Sequence, residues 1–277
     1  MASSRACVGA VALICVACAY GCGARETRPA TSPLIPPIPD RFVALNGHNL
    51  RLHFSRGTER PDRPLLVYAT GDGGWHRKDV AAYHQLVSFG YPTVGFDARD
   101  YVSHLGREDA TTTPERLAED YERIIETARS ALQLPAHYPV VLVGISRGAG
   151  LSVVAAGQFG LRASIAGVLA VALTKEEEYV RMWPLGRRVA TPEMVEVYEY
   201  LHRLADMPIA VVQSTRDRYL PADRARALFG PDTPYRYFQP IEAGNHSFGG
   251  ARAELYEAMG RALTWIQRTT EDPSHWL

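Results

Sequence analysis

The chain has 277 residues, of which 46% are hydrophobic and 22% are charged, as expected for an ordinary globular domain with a sizeable core. Its 30 basic and 30 acidic residues give a formal net charge of zero, and no basic stripe stands out. We therefore expect no nucleic-acid partner.

The first 22 residues predict an export leader. Arg5 supplies one positive charge, and the apolar run over residues 8–20 is followed by small residues. The run is shorter than the roughly 20 residues that cross a bilayer, so a signal peptide is favoured over a spanning helix.

The cysteines indicate how this leader is processed. Residues 19–22, Ala-Tyr-Gly-Cys, resemble a bacterial lipobox in which Cys22 is acylated, and Cys18 is a second candidate. A conventionally cleaved leader without lipid remains the alternative. With Cys22 as the first mature residue, the folded domain has no thiol chemistry. All four cysteines lie in the leader: Cys7, Cys15, Cys18 and Cys22.

Residues 23–40 contain five prolines and predict an extended, semi-rigid tether. A tether after a lipidated cysteine would place the protein in the periplasm or cell envelope, anchored to a membrane through its lipid. An ordinary disordered N-terminus is the alternative.

The remaining residues, 41–277, predict one α/β domain in which strands alternate with helices. Asn46-Gly47 predicts the turn of an antiparallel hairpin. Residues 174–204 interrupt the alternation and predict a short helical cap insertion, with a helix from residue 192. The alternation elsewhere predicts a doubly wound, mainly parallel sheet. Strands are predicted over 42–45, 49–54, 65–69, 93–96, 138–143, 165–173, 209–213 and 235–239, and helices over 78–89, 113–132, 222–229 and 250–268 and after residue 146.

A candidate nucleophile lies between an apolar strand and a helix. Residues 144–148 are Gly-Ile-Ser-Arg-Gly, the G-x-S-x-G pattern of a serine on a sharp strand-to-helix turn. Ser146 alone could be a small residue that a tight turn needs. A serine hydroxyl becomes nucleophilic when a base takes its proton and an acid orients the base.

The candidate acid and base follow later in the chain. Asp217 comes just after a late strand, and His246 lies in the loop after the last strand. Taken singly, Asp217 could be a helix cap or half of a surface ion pair, and His246 a solvated histidine. The order Ser146, Asp217, His246 is that of the α/β-hydrolase fold, so the three together predict a catalytic triad.

An oxyanion hole needs two backbone N–H donors. The first expected donor is Arg147, directly after the nucleophile. The second is expected from the loop over residues 70–74, where Asp72 is favoured and Gly73 is the alternative.

Other ligands are not indicated. Residues 148–153 begin like a nicotinamide-binding fingerprint, but Val153 stands where a glycine or alanine belongs. The histidines show no metal-ligand spacing along the chain, so we expect neither a metal nor a cofactor.

Three segments resemble the bacterial virulence protein family of VirJ and AcvB. Residues 70–75 are Thr-Gly-Asp-Gly-Gly-Trp, residues 90–97 are Gly-Tyr-Pro-Thr-Val-Gly-Phe-Asp, and residues 113–120 are Thr-Pro-Glu-Arg-Leu-Ala-Glu-Asp. Ser146 stands at the family's nucleophile. Residues 98–102 and 244–248 depart from the family pattern, which bears on the substrate rather than on the fold.

The resemblance implies a periplasmic enzyme that hydrolyses lysyl-phosphatidylglycerol, an aminoacylated phospholipid. A cationic acyl part would need acids nearby, for which the candidates are Asp72, Asp97, Asp100 and the glutamates at 176–178. A solvated helix end is the alternative for those glutamates.

The expected function is ester cleavage through an acyl-enzyme. The insertion would form a lid or acyl-pocket wall with Met182, Trp183 and Leu185, and Trp75 and Asp97 are further candidates for substrate binding. A generic carboxylesterase or peptidase of the same fold and a non-catalytic scaffold for secretion are the alternatives.

Overall fold

The computed structural model describes residues 38–45, 48–58, 62–104, 113–178 and 194–271. An eight-stranded sheet lies at its centre, in the order β1-β2-β4-β3-β5-β6-β9-β10. β1 and β2 pair antiparallel, as do β2 and β4, and every other neighbouring pair is parallel. The strands are β1 (Arg41–Leu45), β2 (His48–Ser55), β3 (Leu65–Ala69), β4 (Thr93–Phe96), β5 (Val140–Ile145), β6 (Gly167–Val171), β7 (Glu176–Glu178), β8 (Met194–Glu196), β9 (Ile209–Ser214) and β10 (Arg236–Ile241).

Helices cover both faces of the sheet, as a doubly wound fold requires. Alternate residues of a strand face opposite sides, so Val67 packs with one layer of helices and Tyr68 with the other. Helices α3 and α4 pack on the first side, and α1 and α8 pack on the second. The described helices are α1 (Arg77–Ser88), α2 (Ala98–His104), α3 (Pro114–Leu132), α4 (Arg147–Ala156), α5 (Phe159–Arg162), α6 (Val197–His202), α7 (Ala222–Phe229) and α8 (Arg252–Glu271).

The predicted fold class is confirmed. The N-terminal hairpin is present, with Leu45 opposite His48, although its predicted turn at residues 46–47 lies outside the described residues. Local chemistry also sets the helix ends. The Thr113 side chain accepts a hydrogen bond from the N–H of Arg116, and Pro114 takes the first helical position of α3.

The structure differs from the prediction in the insertion. Residues 176–178 form a strand that pairs antiparallel with Met194–Glu196, and helix begins at Val197 rather than near 192. Strand geometry turns alternate side chains to opposite sides, so Glu177 is buried while Glu176 pairs with Lys175 at the surface. This alternation accounts for a run of glutamates that resembles a solvated helix end.

Helix α2 is not predicted from the sequence. It is short, and its first turn is held by the carboxylate of Asp97, which accepts a hydrogen bond from the N–H of Asp100. The residues on which the leader, the lipidated Cys22 and most of the tether were predicted lie outside the described ranges, so the proposed boundaries at 22, 40 and 41 stay predictions. Within the described ranges, no helix is both long enough and apolar enough to span a bilayer.

Candidate active site

Ser146 lies on a strained turn between β5 and α4. Its backbone has φ 53° and ψ −116°, a region that residues with a side chain rarely adopt. The flanking glycines permit this turn, because a Cβ on Gly144 would overlap the carbonyl of Gly148, and a Cβ on Gly148 would overlap the carbonyl of Ala69. The G-x-S-x-G pattern is therefore a steric requirement of this turn.

The structure brings Ser146, His246 and Asp217 together in one hydrogen-bonded chain. His246 Nε2 lies 2.8 Å from Ser146 Oγ, and His246 Nδ1 lies 2.6 Å from Asp217 Oδ2. An ionised carboxylate only accepts hydrogen bonds, so Nδ1–H donates to Asp217, and Nε2 is left to accept from the serine hydroxyl. This tautomer is the one that a general base requires.

Other donors besides His246 hold the carboxylate of Asp217. Its side chain is 1% exposed, and it accepts hydrogen bonds from the N–H of Tyr219 at 2.8 Å and from Gln213 Nε2 at 3.1 Å. Gln213 also donates to the carbonyl of Leu220 at 2.6 Å, so it fixes the loop that carries the acid. The role of Gln213 is not predicted from the sequence, where its only sign is a polar residue inside the otherwise apolar strand β9.

The loop that carries His246 is fixed by its neighbour Asn245. The side-chain oxygen of Asn245 accepts hydrogen bonds from the N–H groups of Ser247 at 3.0 Å and Gly249 at 3.1 Å. Tyr219 packs edge-on against the imidazole, with ring centroids 4.8 Å apart. These contacts restrict the ring to the orientation that reaches both Ser146 and Asp217.

The loop between β3 and α1 lies against the nucleophile. A Cβ on Gly71 would be 3.6 Å from the Cβ of Ser146. Two carboxylates fix this loop: Asp79 accepts from the N–H of Gly71 at 2.8 Å, and Asp97 accepts from the N–H of Trp75 at 2.8 Å. Burial raises the pKa of Asp79.

The two predicted oxyanion donors lie on the same cavity. Arg147 is the first residue of α4, whose first helical hydrogen bond is made by the N–H of Ala149. Asp72 and Arg147 both line the cavity with Ser146, whereas Gly73 is not among its described lining residues. Arg147 as the first donor, and Asp72 or Gly73 as the second, therefore stay predictions.

The side chain of Arg147 joins three parts of the site. Its guanidinium forms an ion pair with Asp72 on the loop after β3 and lies 3.7 Å from Glu177 Oε2 on β7. Glu177 also accepts a hydrogen bond from the Thr174 hydroxyl at 2.6 Å. Burial raises the pKa of Glu177, and the nearby guanidinium of Arg147 opposes that shift.

The cavity in front of Ser146 has a volume of about 730 Å³, which is large enough for a substantial ligand. Its wall carries both acidic and basic side chains. The described lining residues are Asp72, Ser146, Arg147, Thr174, Lys175, Glu176, Glu177, Met194, Arg218, Tyr219, Asn245, His246 and Ser247.

Two predicted substrate-binding residues do not line this cavity. Trp75 stacks on His53 of β2, with ring centroids 3.9 Å apart, and packs edge-on against Tyr83. Asp97 instead accepts hydrogen bonds from the backbone of Trp75 and Asp100. Trp75 packs against neighbouring rings and Asp97 accepts backbone hydrogen bonds, so both residues hold the loop after β3 in place. The predicted wall residues Met182, Trp183 and Leu185 lie outside the described residues.

Comparison with known proteins finds one matching family. The sequence profile of a family described as "Bacterial virulence protein (VirJ)" matches residues 63–183. This range includes the loop after β3, Ser146 and β7, so the resemblance found in the sequence is confirmed there. No curated protein matches the chain.

Solved structures with the same fold are esterases and serine hydrolases by their titles. Est1E from Butyrivibrio proteoclasticus is 15% identical, with a TM-score of 0.59 over 80% of this chain and 96% of its own. An alpha-beta serine hydrolase homologue from Coxiella burnetii is 18% identical, with a TM-score of 0.57 over 82% and 98%. The esterase domain of a Rhodothermus marinus protein is 16% identical, with a TM-score of 0.57 over 82% and 96%. At these identities the likeness establishes the α/β-hydrolase fold.

Proposed function

We propose that this α/β-hydrolase, which matches the bacterial virulence protein (VirJ) family, is a serine hydrolase that cleaves carboxylic esters. The observation that carries the proposal is the continuous hydrogen-bonded chain from Ser146 through His246 to Asp217, at the wall of a cavity. Each residue taken singly has an ordinary structural explanation. Together they let His246 take the proton of the Ser146 hydroxyl, as acyl transfer needs.

The geometry defines the order of steps. Ser146 Oγ attacks the ester carbonyl while its proton passes to His246 Nε2, and Asp217 stabilises the resulting imidazolium. The N–H groups of Arg147 and Asp72 donate to the oxyanion. His246 then gives its proton to the leaving alcohol, and the acyl group remains on Ser146. A water molecule, deprotonated by His246, hydrolyses this acyl-enzyme and restores the serine.

A fluorophosphonate probe tests the proposal directly, since such probes label an activated serine. We expect the purified protein to be labelled and to hydrolyse a p-nitrophenyl ester, and Ser146→Ala to lose both properties. Ser130→Ala, at an exposed position on α3, is the matched control and should retain both. Absence of labelling in the wild type would favour the non-catalytic scaffold.

The finer substrate we propose is an aminoacyl ester of phosphatidylglycerol, with lysyl-phosphatidylglycerol preferred. The family resemblance supports this substrate, as do the carboxylates of Asp72, Glu176 and Glu177 on the cavity wall. Arg147, Lys175 and Arg218 also line the cavity, so the wall is mixed in charge and a generic carboxylesterase or peptidase is the alternative.

Vesicles that contain either lysyl- or alanyl-phosphatidylglycerol separate these substrates. Faster release of lysine than of alanine is the expected result. Equal rates would overturn the lysine preference but leave ester hydrolysis standing, provided that the fluorophosphonate probe still labels Ser146.

We further propose that the chain is an envelope lipoprotein, tethered through Cys22 by the proline-rich segment. The support is the sequence pattern of the leader. Expression in bacteria fed with a labelled fatty acid should label the wild type and not Cys22→Ala. Labelling that persists in Cys22→Ala but is lost in Cys18→Ala would assign the lipid to Cys18 instead.

A further inference from the structure

Two histidines and an aspartate meet where the N-terminal hairpin packs on α2. His48 is the first residue of β2, and Asp100 and His104 lie one helical turn apart on α2. His48 Nε2 is 3.2 Å from Asp100 Oδ2, and His104 Nδ1 is 3.2 Å from Asp100 Oδ1. All three residues are half-buried, and none lines the cavity at Ser146.

The spacing of these groups fits a small metal ion. One nitrogen from each imidazole and one carboxylate oxygen all lie within 4.8 Å of one another. Ligands bound to zinc at about 2.0–2.2 Å in tetrahedral geometry are roughly 3.3–3.5 Å apart. The two 3.2 Å separations involve different oxygens of Asp100, and the three ligand atoms lie within 4.8 Å of one another, so the side chains must rotate closer together to enclose an ion.

The chemistry of the three groups narrows the choice of metal. Imidazole and carboxylate together suit zinc and its neighbours in the first transition series, whereas calcium and magnesium prefer oxygen ligands throughout. The imidazole rings of His48 and His104 are stacked, with centroids 3.4 Å apart and planes 4° from parallel.

The backbone that carries these groups is already fixed. Asp97 caps the first turn of α2 through the N–H of Asp100, and β2 pairs with both β1 and β4. Binding needs rotation of the two rings out of their stack and the loss of the contacts that His104 Nδ1 makes with the carbonyl of Asp100 at 2.7 Å and with Ser103 Oγ at 3.1 Å. An ion held here would join the hairpin to α2.

We propose that His48, Asp100 and His104 form a zinc site with a structural role. The sequence alone does not indicate this site, because His48 lies 52 residues from Asp100. The three ligands leave a fourth position for water or for another ligand. Because the site is separate from the cavity at Ser146, this proposal stands independently of the proposed hydrolase activity.

Zinc titration of the untagged full-length protein, first stripped with a chelator, tests the site. We expect one zinc ion to bind per chain and bound cobalt to show the visible absorption of a low-symmetry site. His104→Ala and Asp100→Asn should each weaken zinc binding by at least about tenfold. His137→Ala, an exposed histidine outside the cluster, and His246→Ala should bind zinc like the wild type.

Thermal unfolding gives a second readout, because an ion bound only to the folded state raises the melting temperature. Zinc should raise that temperature for the wild type and for His137→Ala but not for His104→Ala, with circular dichroism confirming that each variant is folded. A wild type that binds no zinc would overturn the proposal. So would zinc binding that persists in His104→Ala, or that is lost equally in His137→Ala or His246→Ala.

Discussion

At the scale of single residues, the candidate site depends on side chains that hold other side chains. Asp217 orients His246, while Gln213 and the N–H of Tyr219 hold Asp217. Arg147 supplies an expected oxyanion N–H and also ties the loop of Asp72 to the strand of Glu177. A single substitution breaks each of these contacts, so we expect each substitution to change kcat measurably.

Asp217→Asn tests the orientation of the base. An amide at this position can donate to His246 Nδ1, which would place the ring proton on Nε2 and leave no acceptor for the Ser146 hydroxyl. We expect kcat for a p-nitrophenyl ester to fall by about 10⁴. Asp223→Asn, on the exposed first turn of α7, is the control and should keep the wild-type rate. A loss smaller than about tenfold at Asp217 would mean that another group orients His246.

Arg147→Met tests the side-chain link across the oxyanion hole. Methionine keeps the backbone N–H and much of the volume but removes the ion pairs to Asp72 and Glu177. We expect kcat to fall about tenfold, equivalent to roughly 1.4 kcal/mol, with a smaller change in KM and partial recovery in Arg147→Lys. Arg216→Met, at an exposed position, is the control. A change confined to KM would assign the side chain to substrate binding instead.

At the scale of elements, the ribbon of β7 and β8 forms one wall of the cavity. β7 contributes Glu176 and Glu177 to that wall, and β8 contributes Met194. Glu177 packs so closely on α4 that a Cβ on Gly150 would overlap its side chain. A carboxylate buried at the start of a helix behind the nucleophile must affect the pH dependence of stability.

Glu177→Gln tests the cost of burying this charge. Burial raises the pKa of Glu177 in the folded protein above its value in the unfolded chain. Between these two pKa values the folded state binds more protons than the unfolded state. The free energy of unfolding of the wild type therefore falls as pH rises through that window. The variant lacks this loss. The free energy of unfolding of Glu177→Gln minus that of the wild type should therefore become more positive as pH rises from below 4.5 through the raised pKa.

Urea unfolding at a series of acidic to neutral pH values measures this difference. Glu176→Gln is the matched control on the same strand, because Glu176 is much more exposed than Glu177 and pairs with Lys175. A difference that shrinks as pH rises would mean that the pairing with Arg147 outweighs the burial of Glu177.

At the scale of the whole molecule, the parts that sequence predicted are those with local causes. Buried parallel strands such as β3 and β6 are continuous apolar runs, and Thr113 with Pro114 defines the start of α3. Ser146, Asp217 and His246 each follow a predicted strand. The sequence therefore places all three at the carboxyl ends of strands, where the sheet brings them together.

The parts that sequence did not predict depend on contacts between distant residues. Gln213 is a polar residue in an apolar strand until the fold places it beside Asp217. His48 lies 52 residues from Asp100, so no ligand spacing joins them along the chain. Glu177 lies in a strand although glutamate has no local preference for strands, and its carboxylate meets Thr174 and Arg147 only in the folded chain.

The two layers of helices share one sheet, so a defect far from the site should lower stability without changing the chemistry. Ile266 on α8 is fully buried, and its side chain packs against Gly167 at the start of β6. Ile266→Ala should lower the free energy of unfolding by about 2–5 kcal/mol in urea, while kcat stays within about twofold of the wild type. Glu257→Ala, at an exposed position on the same helix, should change stability by no more than about 0.5 kcal/mol.

Fluorescence and residual activity should report one common transition for Ile266→Ala, because the site residues project from strands that α8 covers. Activity that is lost at lower urea than the fluorescence change would instead show that the site unfolds separately from the sheet.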